Sequence, residues 1–289
     1  MDNKIRIVRT ERTLRGRVWE WRGQGQTIAF VPTMGALHVG HLSLVRLAKK
    51  IADKVIVSIF VNPTQFAPGE DFESYPRTEK QDVAMLKSEG VDLVYIPKDG
   101  SMYNAHHATK ITVGGVALGL ETNNRPTFFD GVALVVTKLL NRVVPDFAIF
   151  GEKDYQQLAT IRRLVEDLDM PIKIVGAPIA RDEEGLALSS RNKYFDEDGL
   201  KIARRLNAIM RLCAIKMQEG ENVDVARDIA TKALLTAGFT SVDYIEVRSP
   251  NSLTVLEGGV LNNPARLLVA AYCQNVRLID NCAVKPPIK

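Results

Sequence analysis

Short apolar runs of the kind found in buried β-strands alternate with amphipathic helical patterns over residues 1–178. Each run is followed by a turn-like stretch, and the runs occupy residues 27–33, 54–62, 92–97, 147–151 and 172–178. Between them, apolar residues return every three or four positions in segments 41–53, 78–90, 130–143 and 155–169. Strands that are apolar throughout are typical of a parallel sheet with helices on both faces. The alternation therefore predicts an α/β fold in which residues 1–178 form a doubly wound, Rossmann-like domain.

The pattern changes after residue 178. Two helical patterns and then three strand-like runs follow, at about 198–218, 223–237, 242–248, 266–275 and 276–280. This order predicts a smaller α+β C-terminal domain over residues 179–289. Its first segment, residues 180–194, is rich in Gly and Ser, and we expect it to close over the crevice of the first domain, so that the second domain acts as a lid.

Charge and cysteine content narrow the class of protein. The formal net charge is +4 over 289 residues and the Lys and Arg residues are scattered, so we expect no nucleic-acid partner. The three cysteines, Cys213, Cys273 and Cys282, form no CxxC pair, which argues against a disulfide framework or a cysteine-ligated zinc. The N-terminus is too polar for a signal peptide, and no apolar run reaches the roughly 18 residues of a membrane span. We therefore expect a cytoplasmic protein that does not associate with membranes.

The chemically distinctive stretches of the first domain come where predicted strands end. PTMGALHVGH (32–41) follows the first run, NPTQF (62–66) the second and GEKDYQQ (151–157) the fourth. Parallel sheets bind ligands at the carboxyl ends of their strands. We expect these three loops to converge on one crevice.

The pair His38 and His41 lies at a predicted helix start. A helix that begins near His38 leaves its first N–H groups unpaired and directed at the crevice, where the positive end of the helix dipole favours a phosphate. Gly40 permits close approach of a phosphate or nucleobase, and the two imidazoles, three positions apart, share a helix face and can donate to one phosphoryl group. Two alternatives stay open: ordinary helix-start residues, or metal ligands. Zinc-protease helices, however, space their histidines i and i+4 around a Glu.

The other loops offer groups that suit a phosphate and a hydroxy acid. Lys153 is a compact cation, and Asp154 can orient it or hold a sugar hydroxyl. Ser189–Arg191 adds two hydroxyls and a guanidinium suited to phosphate oxygens, while Gln65 and Gln157 are neutral amides suited to a hydroxy acid. Each also has an ordinary alternative as a solvated turn or surface residue, with Asp154 as a helix N-cap.

Five motifs, in this order, resemble those of one family. PTMGALHVGHLSLV, SIFVNPTQF, DFESYPRT, FGEKDYQQL and GLALSSRN are similar to the motifs of pantothenate synthetases, the pantoate–β-alanine ligases of the nucleotidyltransferase superfamily with an HIGH-type motif, here HVGH. The resemblance runs from about residue 27 to LIDN at 278–281. It implies that (R)-pantoate attacks the α-phosphorus of ATP with release of diphosphate, and that β-alanine then attacks the pantoyl adenylate with release of AMP. The product is pantothenate, or vitamin B5, a precursor of coenzyme A.

The resemblance also implies the site residues. It assigns catalytic roles to His38, His41, Lys153 and Arg191, with His41 as the proton donor. It assigns ATP binding to Met34, Gly35, Ala36, Leu37, His38, Val39, Gly40, His41, Gly151, Glu152, Lys153, Asp154, Ala180, Leu188, Ser189, Ser190 and Arg191. It assigns pantoate and β-alanine binding to Asn62, Gln65 and Gln157. Mg²⁺ is expected to arrive with ATP on ligands that the sequence does not reveal, and the family implies a homodimer.

One position departs from the family pattern. RPTFFDGV (125–132) has Phe128 where the family usually shows a histidine. The role of that histidine near the acceptor amine therefore does not carry over. Phe128 is either a conservative packing change or a sign of altered kinetics in the second step.

Rival functions come from two classes. A nucleotidyltransferase acting on a phosphate ester, or a fragment of a tRNA synthetase, shares the superfamily, but a synthetase needs an RNA-binding extension that the sequence does not suggest. A non-catalytic nucleotide-binding module has no reason to combine His38, His41 and Lys153. The pantoate-activating ligase is the favoured interpretation.

Overall fold

The computed structural model describes residues 5–66, 69–70 and 72–288. The chain divides into two compact units, of which the first contains residues 1–152 and 160–178 and the second contains 153–159 and 179–289. Residues 153–159, which a boundary at 178 assigns to the first domain, thus group with the second unit. The functional division at residue 178 stays a prediction.

The first unit is built on a six-stranded sheet. In spatial order its strands are β1 (Arg6–Val8), β4 (Leu93–Tyr95), β3 (Lys54–Ile59), β2 (Ile28–Thr33), β5 (Phe147–Gly151) and β6 (Lys173–Ala177). All of these neighbours pair in parallel. The chain runs from β2 outward through β3 and β4, then returns to β5 on the other side of β2. This reversal is the topological switch point of a doubly wound sheet, and it confirms the Rossmann-like prediction.

Helices cover this sheet on both faces. In the described part of residues 1–178 they are α1 (Glu11–Gly23), α2 (Val39–Ile51), α3 (Glu79–Ser88), α4 (Asp99–Met102), α5 (Glu121–Asn124), α6 (Phe128–Val143) and α7 (Tyr155–Asp167). The four residues of the central strand from Ile28 to Val31 are fully buried, whichever face their side chains occupy. α2 and α3 supply Val45 and Leu86 to the core on one face, while α6 also contacts β2.

Sequence patterns missed β1 and α1. β1 has three residues and its Ile7 is 41% exposed, so no apolar run marks it. Nearly half of the residues of α1 are charged, but its buried Leu14, Val18 and Trp21 recur at helical spacing. Thr10, whose side chain accepts the N–H of Thr13, is the N-cap. The helical spacing and the cap were therefore visible in the sequence.

The second unit has its own sheet and core. The strands β7 (Ser241–Arg248), β8 (Ala265–Cys273) and β9 (Val276–Val284) form an antiparallel sheet in that order. Its helices are α8 (Glu197–Ala203), α9 (Arg205–Gln218) and α10 (Val223–Thr236). Side chains such as Met217, Leu234 and Leu267 form one apolar core between the helices and the sheet. The smaller α+β fold is thus confirmed.

Candidate active site

The candidate site of the first unit is at the carboxyl ends of three neighbouring strands. β2 lies between β3 and β5, and all three run in the same direction. The segment 34–41 follows β2, Asn62–Gln65 lies just beyond β3, and Gly151 is the last residue of β5. Strand order therefore brings the ends of these three segments to one edge of the sheet, where ligands bind in this fold.

Asp82 on α3 holds the backbone of the loop after β2. Its carboxylate is 1% exposed and accepts the N–H groups of Ala36, at 3.1 Å, and Leu37, at 2.8 Å. The loop is strained at Ala36, which has a φ of +49°, and at Gly35 a φ of +82° favours glycine. A Cβ at Gly35 would lie 3.1 Å from side-chain atoms of both Asp82 and Ile59, so a larger residue requires these side chains to shift as well as an unfavourable φ. The buried carboxylate stabilises a backbone that would otherwise relax.

His38 and His41 are joined through the start of α2. His38 is the N-cap, and its Nδ1 accepts the N–H of Gly40 at 3.1 Å. Nδ1 of His41 in turn accepts the N–H of His38 at 3.4 Å, completing a reciprocal capping box. The ring centroids are 4.2 Å apart. His38 has an extended backbone and lies before the first residue of α2, so the two rings do not share a helix face as the sequence predicted. The capping box brings them together instead.

These hydrogen bonds also correct the expectation that the first N–H groups are unpaired. The N–H groups of His38 and Gly40 are directed at imidazole nitrogens. Each neutral ring uses its Nδ1 lone pair as an acceptor and so carries its proton on Nε2, which is then a donor. A metal-bound histidine instead donates through its second nitrogen. Within the described residues no group of three or more His, Cys, Asp or Glu is arranged to hold a metal.

Asn62 organises the loop after β3. It is 1% exposed, and its Nδ2 donates to Oε1 of Gln65 at 2.9 Å and to the carbonyl of Gly131 at 3.2 Å. Its Oδ1 accepts the hydroxyls of Tyr103, at 2.7 Å, and Thr64, at 3.0 Å. Burial raises the pKa of Tyr103, so this phenol remains a donor. The amide of Gln65 is thereby oriented with its oxygen toward Asn62.

Arg125 connects this loop to the position that departs from the family pattern. It donates to the carbonyl of Gln65 at 2.9 Å and pairs with Glu70 at 2.7 Å. Its guanidinium lies 3.9 Å from the ring centroid of Phe128, a cation–π contact. Phe128 is half-buried at the start of α6 and also contacts Phe129. The phenyl ring therefore packs beneath an arginine that contacts the Gln65 loop.

Three predicted residues of the second unit follow β5. Lys153 lies in a short 3₁₀ turn, Glu152–Asp154, and its Nζ is 3.7 Å from Asp154. The orienting role of Asp154 stays a prediction. Gln157 is half-buried in the first turn of α7.

The segment 180–191 of the second unit is folded into a tight hairpin. The N–H of Leu188 donates to the carbonyl of Ala180 at 2.9 Å, which places these two predicted ATP contacts side by side. Asp182 closes the turn by accepting the N–H groups of Glu184 and Leu186. The chain then enters a 3₁₀ turn, Ser190–Tyr194, where the Ser189 hydroxyl accepts the N–H of Arg191 at 3.3 Å. The Ser189 side chain therefore caps this turn.

The sequence analysis missed several supporting residues. Asp82 lies four positions before buried Leu86 on α3, so helical spacing already placed it on the buried face. Gly131 was part of a predicted helical pattern. Its contact with Thr64, however, is between residues 67 positions apart, and no local sequence signal indicates this contact. The same holds for Asn281, whose side chain contacts Lys153.

Fold and site together define a doubly wound nucleotide-binding protein with a histidine-capped helix at its switch point. Comparison with known proteins narrows the class: the sequence profile of the pantoate-beta-alanine ligase family matches residues 6–283. The chain belongs to this family.

Individual relatives agree over their full length. The pantothenate synthetase of Mesorhizobium japonicum is 50% identical over 278 residues, which cover 96% of this chain and 97% of the relative. The crystal structure of the enzyme from Thermus thermophilus is 41% identical, covers 98% of this chain and 100% of its own, and has a TM-score of 0.90. The pantoate-beta-alanine ligase from Francisella tularensis, complexed with beta-gamma ATP and β-alanine, is 36% identical, covers 96% and 97%, and has a TM-score of 0.80.

Proposed function

We propose that this chain condenses (R)-pantoate with β-alanine at the expense of ATP, giving pantothenate, AMP and diphosphate through a pantoyl adenylate. Family membership over nearly the whole chain supports the reaction. The ligands of the Francisella tularensis relative support ATP and β-alanine as substrates. The observation that most directly supports the location of the proposed site is the reciprocal hydrogen bonding of His38 and His41 at the carboxyl end of β2.

The first step forms a bond between a carboxylate oxygen of pantoate and the α-phosphorus, and breaks the bond to the diphosphate oxygen. Negative charge builds on the α-phosphoryl oxygens in the transition state. The Nε2–H groups of His38 and His41 are held by the fold before the reaction, so they can stabilise that charge without reorganising. Lys153 and Arg191 add positive charge for the phosphates. His41 is assigned the proton-donor role.

ATP binding is assigned to residues 34–41, to Gly151–Asp154, to Ala180 and to Leu188–Arg191. Two observations support this assignment: the contacts of Asp82 with residues 36 and 37, and the hydrogen bond between Leu188 and Ala180. Each fixes the backbone near a proposed phosphate or base contact.

Pantoate is assigned to Gln65 and Gln157, with Asn62 shaping the pocket and Gln65 also near the entry of β-alanine. The oxygen of the Gln65 amide accepts from Asn62, so its NH₂ group is the part that can donate to a hydroxy acid. A neutral donor suits this task, since it binds the substrate without lowering the nucleophilicity of its carboxylate as strongly as a cation would.

Mg²⁺ is proposed to enter as part of the substrate. The described residues offer no acidic cluster for a resident ion. Mg²⁺ commonly reaches nucleotide sites on the phosphates, with few protein ligands. It would neutralise the triphosphate and make diphosphate a better leaving group.

The second domain is proposed to act as a lid that keeps water from the mixed anhydride. We also propose that the protein is a homodimer, which sedimentation equilibrium tests through the mass in solution. A cytoplasmic location fits the free cysteines. Burial raises the pKa of Cys213 to about 12 and that of Cys282 to about 11, so neither supplies a thiolate nucleophile at neutral pH.

The decisive experiment is exchange of labelled diphosphate into ATP. Exchange should require (R)-pantoate and should proceed without β-alanine. Glycerol 3-phosphate serves as the comparison acceptor, because exchange with a phosphate ester would favour the rival nucleotidyltransferase. Exchange without pantoate, or no exchange at all, refutes the proposed first step.

No helix in the described ranges is long and apolar enough to cross the bilayer.

A further inference from the structure

Two neighbouring residues of β9, Asp280 and Asn281, are almost completely buried, at 3% and 2% exposure. They are the last two residues of the LIDN stretch at 278–281. Successive side chains of a strand point to opposite faces of its sheet. A buried polar side chain on each face of one strand is unusual, because burial of such groups costs free energy unless hydrogen bonds compensate it. Their partners show what these residues hold.

On one face, Asn281 contacts the segment that carries Lys153. Its Nδ2 donates to the backbone carbonyl of Lys153 at 2.9 Å. Its Oδ1 accepts from Nε of Arg266 at 2.7 Å and also from the terminal guanidinium nitrogen of that residue. Both ends of the amide are thus fixed, and the donor cannot rotate away from the carbonyl.

Arg266 extends this contact to the start of α7. Its guanidinium lies 4.1 Å from the ring centroid of Tyr155, two residues after Lys153. The hydroxyl of Tyr155 donates to the carbonyl of Pro250 at 3.0 Å. Residues 153–155 are therefore attached to β8 and β9 by a backbone contact and a cation–π contact, and to the loop after β7 by a hydroxyl, all within the second unit.

On the other face, Asp280 holds the hairpin of residues 180–188. Arg181 binds its two carboxylate oxygens at 2.6 and 2.8 Å and also donates to the carbonyl of Gly185. A bidentate arginine–carboxylate pair is geometrically specific. Asp280 also accepts the N–H of Asn281 at 2.7 Å, which couples the two contacts.

We propose that Asn281 is a positioning residue for Lys153 and that the Asp280–Asn281 pair sets the spacing between two phosphate-binding segments. The first segment is Lys153–Asp154, and the second is the chain from Ala180 to Arg191. This inference rests on the proposed ATP-binding role of both segments. Asn281 acts through the Lys153 backbone and is not a catalytic residue.

The test is a double-mutant cycle on the affinity of α,β-methylene-ATP, measured by calorimetry. Asn281→Asp keeps an acceptor for Arg266 and removes the donor to the Lys153 carbonyl. We expect it to weaken binding about tenfold in the otherwise native chain, a coupling within the range known for contacting residues. In a Lys153→Ala background the same change should weaken binding less than twofold. Equal losses in both backgrounds overturn the proposal, because they show that Asn281 does not act through Lys153.

The control is Arg277→Gln, which breaks the Arg277–Asp243 contact on the same strand and, by alternation, on the same face as Asn281. It should leave affinity within twofold of the native value; a tenfold loss would show that general damage to β9 explains the effect. If Asn281→Asp does not fold, Arg266→Lys replaces it in the cycle, because it loses the paired contacts to Oδ1 and keeps the charge. Its effect should likewise vanish in the Lys153→Ala background, and persistence there overturns the proposal.

Failure of the proposed function gives a different result. A native chain that neither binds α,β-methylene-ATP nor exchanges diphosphate refutes ATP activation itself. A native chain that does both, with no coupling between Asn281 and Lys153, refutes only the positioning role.

Discussion

Gly131 on α6 lies so close to Thr64 that a Cβ at residue 131 would be 2.1 Å from the Thr64 carbonyl oxygen. Thr64 belongs to the 3₁₀ turn Pro63–Gln65, so the helix packs directly on the backbone of the proposed pantoate loop. The obstacle is main chain and cannot turn aside as a side chain would. The backbone of one of the two elements must therefore move if residue 131 gains a side chain.

We expect Gly131→Ala to lower the free energy of unfolding by about 1–3 kcal/mol, the usual cost of overpacking, and to raise KM for pantoate. Urea unfolding and initial rates measure the two effects. Gly16→Ala on α1 is the matched control, since a Cβ there would meet nothing within 4 Å. It should be neutral or stabilise by up to about 1 kcal/mol. Native stability and KM in Gly131→Ala would show that the packing is looser than described.

Asp82→Asn tests the support of the loop after β2. The variant puts an NH₂ group where a carboxylate oxygen now accepts a backbone N–H, so a buried donor loses its partner. We expect a loss of about 1–3 kcal/mol in unfolding free energy and a higher KM for ATP. The comparison is Asp167→Asn, whose exposed ion pair with Arg163 should contribute less than about 1 kcal/mol. If both variants keep the native KM for ATP, Asp82 is not a support of the nucleotide loop.

These supports mark the limit of what the sequence reveals. The continuous apolar runs identified β2 to β6, and the position of the His38 loop directly after one of these runs placed it at the carboxyl end of a strand without any knowledge of side-chain contacts. The burial of Asp82 could have been predicted, because it lies four positions before Leu86 and therefore on the same, buried face of α3. The contact of Asn281 with Lys153 could not have been predicted, because it joins residues 128 positions apart and depends on the packing of a second core.

Local geometry was predicted less well than residue identity. The two histidines were correctly singled out as a pair, yet a shared helix face was the wrong reason. His38 is extended, and its ring is turned back to cap the helix, where it accepts the N–H of Gly40, one of the groups that the sequence argument left for phosphate. A capping histidine has no common sequence signal, because Ser, Thr, Asp and Asn are the usual N-caps.

Separating the two roles of His38 is possible with a cap-preserving variant. His38→Asn keeps a side-chain acceptor for the helix N–H groups and should hold unfolding free energy within about 0.5 kcal/mol, whereas His38→Ala should lose about 1 kcal/mol. Both should lower kcat of diphosphate exchange, because both lose the Nε2–H donor. Full kcat in His38→Asn would mean that His38 serves only as a cap.

His41→Ala should lower kcat by roughly 10²–10³-fold, the usual effect of removing a donor to developing negative charge. KM for ATP should change by less than about threefold, because the contact strengthens in the transition state. Single-turnover adenylation measures the chemical step directly. A parallel loss in ATP affinity would count against the proposed role.

Phe128→His tests the position that departs from the family pattern. The phenyl ring supports Arg125, and an imidazole would still offer a flat surface beneath the guanidinium. We therefore expect KM for β-alanine to stay within about twofold, with a loss of stability below about 1.5 kcal/mol, as in tolerated core exchanges. Phe128→Ala, which removes the ring, is the comparison and should perturb the Gln65 loop through Arg125. A large change in KM for β-alanine in Phe128→His would show that this position acts on the second step.

The turn at Asp182 predicts a pH dependence. Burial by itself raises the pKa of this carboxyl, but hydrogen bonds from the Leu186 N–H, Arg204 and the Glu184 N–H outweigh it and hold the pKa below the usual 3.8. Because the native pKa is lower than the unfolded one, the stabilisation is present above about pH 4 and is lost as the pH falls through the native value.

Asp182→Asn should therefore lower the free energy of unfolding at pH 7 by about 1–3 kcal/mol, as expected for hydrogen bonds to a charged group. The gap between native chain and variant should narrow as the pH falls below the usual carboxyl pKa of 3.8 and through the lowered pKa of the native chain, because the native carboxyl then also becomes protonated. Urea unfolding at a series of pH values measures this gap, with Asp198→Asn, an exposed partner of Lys201, as a control that should show almost none. A gap independent of pH would mean that the turn depends on the shape of the side chain and not on its charge.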